Sequence, residues 1–268
     1  LQLNPGPVQV EGGNSYSTLN QALTDGNLAD DTANTITVED GLFDEASNSL
    51  NVPDNVTIES ADGDNANVKI LSGNDLQSNP FIDAIQQTDV TIRDLRFDVR
   101  VDATSSNSIE NVIDSQGKNL TLNNNVVNVS INTLKDADDM HIVRLGTQGP
   151  GSDDSGDVLT NNVFRGSVSS VSGGEQLLAV FTETNDELIE DNTFKTDDGI
   201  LESGGATTSN VTIRNNNFDV AGFAIAGDAS DVLIDNNDIE ATSSPSSGAV
   251  GLLGGDNITL QDNTIDGL

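Results

Sequence analysis

Along most of the chain, apolar residues recur at every second position in short bursts. Each burst then breaks into Asp or Asn before a large apolar residue. Residues 210–218, NVTIRNNNF, show the pattern: Val211 and Ile213 alternate with Thr212 and Arg214, three asparagines follow, and Phe218 closes the segment. Alternation with a period of two predicts a strand with one buried face. Seven segments align on the closing residue: DVTIRDLRF to Phe97, NLTLNNNVV to Val127, GDVLTNNVF to Phe164, DELIEDNTF to Phe194, NVTIRNNNF to Phe218, DVLIDNNDI to Ile239 and NITLQDNTI to Ile265. The end points differ by 30, 37, 30, 24, 21 and 26 residues, an irregular period near one turn of a solenoid.

Three columns of this alignment are nearly fixed. Five residues before the end stand Ile92, Leu122, Leu159, Ile189, Ile213, Ile234 and Leu260. Two before it stand Leu95 and then Asn125, Asn162, Asn192, Asn216, Asn237 and Asn263; the column before that is Asp or Asn throughout, from Asp94 to Asp262. Asn tolerates the left-handed backbone region, so it can bend the chain between two strands without glycine. An amide turned inward would also bond the bend and the same Asn one coil away, giving an asparagine ladder like the stacked side chains of cross-β assemblies. A second apolar run follows each motif, as in NVIDS at 111–115, HIVRL at 141–145 and LLAVF at 177–181. Each coil is therefore expected to hold two or three short strands pairing with their counterparts in neighbouring coils.

The front of the chain differs. In SYSTLNQALTDG, residues 15–26, Leu19, Ala22 and Leu23 share one helical face, with Ser15 or Ser17 as the expected cap and Gly26 as the expected stop. Strand-like runs follow, carrying Ile36, Val38, Leu42 and Phe43, then Val56, Ile58, Val68 and Ile70. From Ser17 to Ile70 the chain resembles the opening of the right-handed parallel β-helix (pectin-lyase-like) proteins, in which a helix plugs the solenoid and a Gly-containing loop ends in an acidic residue, here Asp40-Gly41-Leu42-Phe43-Asp44-Glu45. The later Asn-rich coils are similar to the same family's repeats, so the resemblance covers about residues 15–265. It implies an all-β fold: a right-handed parallel β-helix with a short N-terminal capping helix. The expected division is a lead-in at 1–14 and one β-helix domain at 15–268, with cap and first coils at 15–80 and Asn-ladder coils at 81–268. The resemblance specifies function poorly, because this architecture hosts lyases, hydrolases, adhesins and viral spikes.

Charge narrows the partners. With 10 Lys and Arg against 44 Asp and Glu, the net charge is −34. That excludes nucleic acid as a natural partner and argues against anionic membranes. Patterned apolar residues argue against disorder despite the charge. Self-repulsion of this size is relieved by salt, whose screening length falls to about 3 Å at 1 M. The composition resembles that of proteins from halophilic microbes; the alternative is an acidic calcium-binding surface protein. There is no cysteine, hence no disulfide and no thiolate metal site. No apolar run is long enough to span a membrane. The chain begins at Leu1 and stops shortly after the repeat at Ile265, so it is expected to be a processed or excised chain. Its last coil is expected to be covered by a further segment or by another chain.

Catalytic chemistry is thin. The resemblance implies, for the lyases, aspartates around calcium with an Arg base, and for the hydrolases, aspartates near Gly-His-Gly and Arg-x-Lys; neither set is present. The strongest cluster is Asp138, Asp139, His141 and Arg144, whose bland reading is an acidic loop entering a buried strand. No Trp and a lone Tyr, Tyr16, argue against an aromatic sugar cleft. Paired aspartates, Asp30 with Asp31, Asp138 with Asp139, Asp153 with Asp154 and Asp197 with Asp198, are weak calcium candidates, since an acidic surface yields such pairs by composition. Glycosylation sequons start at Asn55, Asn119, Asn128, Asn210 and Asn257. The expectation is a non-enzymatic extracellular rod or spike, adhesive or structural, on a cell or virion surface, with no required cofactor. Calcium or another cation is the optional one. Partners would be other chains or a surface polysaccharide. The alternatives are a polysaccharide lyase or glycoside hydrolase, and a calcium-dependent carbohydrate-binding module.

Overall fold

The structure, a computed structural model, describes residues 8–12, 14–24, 28, 33–45, 49–65, 68–72, 80–101, 111–131, 134–135, 140–146, 155–168, 171–172, 177–202, 208–242, 249–252 and 255–266. Three long sheets run the length of the chain, with eleven, nine and eight strands. Successive strands within a sheet come from successive coils and pair in parallel; among the described residues only Val8–Val10 runs antiparallel to its neighbours, Ser15–Tyr16 and Asn34–Val38. Each full coil contributes one strand to each sheet, which makes the chain a right-handed parallel β-helix with a minor cap helix.

Register turns the aligned columns into rows. In the first sheet Ile36, Ile58, Ile92, Leu122, Leu159, Ile189, Ile213, Ile234 and Leu260 are direct partners from rung to rung. In the second, Phe43, Ile70, Phe97, Val127, Phe164, Phe194, Phe218, Ile239 and Ile265 follow one another in the same way. All are buried except Leu260 and Ile265, each 49% exposed on the last rung. Phe164, Phe194 and Phe218 stack with ring centroids 5.5 and 4.7 Å apart. Full burial of each such side chain is worth roughly 1.5–3 kcal/mol, so these rows supply most of the drive to wind the chain.

The cap helix is Leu19–Leu23, shorter than the sequence suggested, with Leu19, Ala22 and Leu23 buried. Its N-cap is Thr18, whose hydroxyl accepts the Gln21 N–H at 3.2 Å, and not Ser15 or Ser17. Ser15 is held in a strand, and Ser17 instead donates its hydroxyl to Gln21 Oε1 at 2.8 Å. Glu45, fully buried, accepts the Leu19 N–H at 2.5 Å and so ties the helix start to the loop after the first coil. Burial raises the Glu45 pKa above the usual carboxylate range, against the lowering pull of the Leu19 and Asn20 N–H groups. The expected stop, Gly26, lies outside the described residues.

Two Asx residues divide the work at each bend. The first takes the left-handed conformation: Asp94, Asn124, Asn161, Asp191, Asn215, Asn236 and Asp262 have φ between 51° and 60°. The second, the ladder residue, turns its amide into the tube. The sequence reading gave both tasks to one asparagine; the left-handed turn at the first is what frees the second to point inward. A further left-handed file opens the first-sheet strands at Asn55, Asp89, Asn119, Asp186, Asn210, Asp231 and Asn257, with φ between 54° and 60°.

Candidate functional site

The inward asparagines form a continuous hydrogen-bonded file. The backbone N–H groups of Asn125, Asn162, Asn192, Asn216 and Asn237 each donate to the Oδ1 of the next in line, at 2.9–3.0 Å, ending on Asn263. Their Nδ2 groups donate to the same oxygens at 2.9–3.1 Å. Each Nδ2 also reaches a carbonyl of the preceding coil, such as Ile92, Leu122 and Leu159, at 2.7–2.8 Å. From Asn162 to Asn237 both amide hydrogens and both oxygen lone pairs are thereby used, which is what burial of an amide demands. Where the row lacks Asn, at Leu95, the backbone N–H still donates to Asn125 Oδ1 at 3.2 Å. This file is structural: its amides join one coil to the next.

The richest chemistry lies on the third sheet. There Asp83, Asp114, Arg144 and Phe181 are rung-to-rung partners, as are Asn111, His141 and Leu178. His141 and Arg144 flank the buried pair Ile142 and Val143, and both meet Phe181: the imidazole stacks on its ring at 4.7 Å, and the Arg144 guanidinium carbon lies 6.0 Å from the ring centre. His141 Nδ1 is 2.8 Å from Asn111 Oδ1, so that nitrogen carries the proton and donates. Asn111 Nδ2 donates to Asp114 Oδ2 at 2.8 Å, and Arg144 pairs with Glu183 at 3.6 Å.

Burial, and then the nearby Arg144 charge, pull the His141 pKa from 6.5 down to about 4. At neutral pH the ring is uncharged and a poor proton acceptor, unlike a general base poised near 7. Burial pushes Asp114 up, with Arg144, Gln116 and Asn111 opposing and Asp83 adding to the rise; burial likewise raises Glu183 against Arg144. Of the sequence cluster, His141 and Arg144 come together, while Asp138 and Asp139 lie outside the described residues. Asn111, Asp114, Phe181 and Glu183 were not among the sequence candidates. Aligning NVIDS, HIVRL and LLAVF as adjacent rungs would have put Asp114, Arg144 and Phe181 in one row.

The aspartate pairs divide. Asp30, Asp31, Asp153 and Asp154 fall outside the described residues. Asp197 Oδ2 accepts the Leu177 N–H at 3.2 Å, and buried Asp198 Oδ1 accepts the Phe223 N–H at 2.9 Å, so both carboxylates hold backbone between coils. Among the described residues no three His, Asp or Glu side chains gather as a metal set. The sequon asparagines Asn119, Asn210 and Asn257 are exposed and donate Nδ2 to Asp89, Asp186 and Asp231 of the neighbouring coil at 2.6–2.9 Å. Asn128, half-buried, does the same to Asp98 at 2.6 Å, and Asn55 is half-buried at its left-handed turn. An N-linked sugar replaces one of the two Nδ2 hydrogens, so the remaining one can keep such a bond.

No family model matches the chain, and no curated protein does. Among solved structures, the chain is similar to the surface protein and adhesin PfbA of Streptococcus pneumoniae, at 13% identity over 92% of this chain and 93% of that one, with a TM-score of 0.36.

Proposed function

We propose that this chain is a non-enzymatic extracellular β-solenoid, a structural or adhesive rod in a cell-surface, filament or virion assembly of a halophile. Its partners in that role are neighbouring protein chains or a surface polysaccharide. The observation that supports the reading is where the polar side chains spend their bonds. The asparagine file, Asp197, Asp198, Asn111 and the sequon residues Asn119, Asn128, Asn210 and Asn257 all tie one coil to the next, and His141 sits half-buried and neutral.

The acidic surface supports the halophile setting. At −34, the melting temperature should climb by about 5 °C between dilute buffer and molar NaCl, roughly 1.5–2 kcal/mol for a chain of this size. A melting temperature that stays flat across that range removes the halophile part of the proposal.

A polysaccharide-degrading enzyme is the second reading, favoured by two carboxyl groups with raised pKa flanking one arginine. Incubation with a panel of acidic and neutral polysaccharides separates the two. The rod predicts no new reducing ends and no unsaturated products. Turnover that disappears in Asp114→Asn or Glu183→Gln would instead establish the enzyme.

A further inference from the structure

One polar interruption inside the tube is not explained by the asparagine file. Immediately before the first-sheet strands, Leu120, Asp157, Glu187, Val211 and Val232 occupy the same inward position on successive rungs, each no more than 2% exposed. Two consecutive rungs of an aliphatic row are thus carboxylates. Asp157 Oδ1 accepts the Leu120 N–H at 2.8 Å, and Glu187 Oε1 accepts the hydroxyls of both Thr182 and Thr184. In each of these contacts a carboxylate oxygen is the acceptor. Carboxylates on adjacent rungs, roughly 4.8 Å apart, are well spaced to share one cation.

A third threonine adds a further oxygen. Thr208 stands one rung on from Thr184, where Asp186 N–H donates to Ser209 O at 3.1 Å. It is fully buried, and its hydroxyl has no hydrogen-bond partner among the described residues. A buried hydroxyl with nothing to bond is disfavoured over an apolar side chain such as alanine, which stands at the same position one rung on, at Ala229.

We propose that Asp157, Glu187, Thr182, Thr184 and Thr208 enclose a hard divalent cation, calcium, inside the solenoid. All five donors are oxygens, which suits calcium and not a softer metal. Two carboxylates match its charge. The Thr182 and Thr184 hydroxyls can give their protons to Glu187 and still turn a lone pair to the ion, and the Thr208 hydroxyl is free to do the same. Calcium accepts irregular oxygen shells, whereas magnesium demands near-octahedral geometry and keeps its waters. The ion would staple three consecutive coils from within. The site uses none of the paired aspartates singled out in the sequence, and it stands whether the rod is adhesive or enzymatic.

The test is calcium titration of chelator-treated, calcium-free protein in molar NaCl, where weak surface binding is suppressed. The wild type should take up a single equivalent with a rise in melting temperature. Glu187→Gln should abolish both, and Thr208→Val should keep the circular dichroism spectrum while weakening uptake by about tenfold. Wild-type protein that takes up no calcium overturns the site, and so does Glu187→Gln protein that binds like wild type. Should Glu187→Gln fail to fold, Thr208→Val decides alone: affinity equal to wild type rejects the proposal.

Discussion

Replacing Asn192 by alanine should lower the unfolding free energy by about 4 kcal/mol, near the top of the range for single substitutions. The side chain is the acceptor for the Asn162 N–H and Nδ2 at 2.9 and 3.0 Å, and the donor to Leu159 O at 2.7 Å. Truncation leaves two buried donors and the Leu159 carbonyl without it, each costing roughly 1–3 kcal/mol less whatever relaxation recovers, and takes from Asn216 Oδ1 one of its two donors. The same change at Asn215 should cost only about 1 kcal/mol, because that side chain is exposed and water can stand in for its bonds. Denaturant midpoints with unchanged m-values would report the difference. Equal losses at the two positions would mean that the file is a by-product of the bend and not its support.

The solenoid was readable in the sequence because two signals coincide. A period of two marks which residues face in, and the fixed offset from Ile213 to Asn216 to Phe218 marks where the chain turns. Finer assignments depended on geometry that spacing does not carry. Thr18 rather than Ser15 or Ser17 caps the helix because the antiparallel strand pairing of Ser15–Tyr16 delays its start. The division of work between Asn215 and Asn216 needs the backbone angle, since both are simply Asn in the sequence. The cluster around His141 was only half legible for another reason. A solenoid gathers its neighbours from one coil away: Asn111 lies 30 residues before His141. A search of local sequence finds Arg144 and misses Asn111, Asp114, Phe181 and Glu183. The inward carboxylates Asp157 and Glu187 were hidden in a chain so rich in acid that two more drew no notice.

His141 offers the second large effect. Its pKa is 6.5 when unfolded and about 4 when folded, so between those values the unfolded chain holds a proton that the native chain refuses. Stability must then rise with pH across that window: the full contribution is present above pH 6.5 and is lost as pH falls toward 4. The difference between the two pKa values corresponds to about 3 kcal/mol. The groups that face the ring complicate the raw profile. Asp114 and Glu183 have raised pKa values, so their contributions run the other way, held at low pH and lost as pH rises, while Arg144 keeps its charge throughout. The comparison that isolates the imidazole is wild type against His141→Gln, which keeps an N–H donor for Asn111 but cannot titrate. Urea midpoints from about pH 7.5 down to about pH 4 should converge, the wild type losing roughly 3 kcal/mol more than the variant. Parallel profiles would mean that His141 titrates in contact with solvent. An accessible imidazole beside Arg144, Asp114 and Glu183 would then weigh against the rod and for the hydrolytic reading.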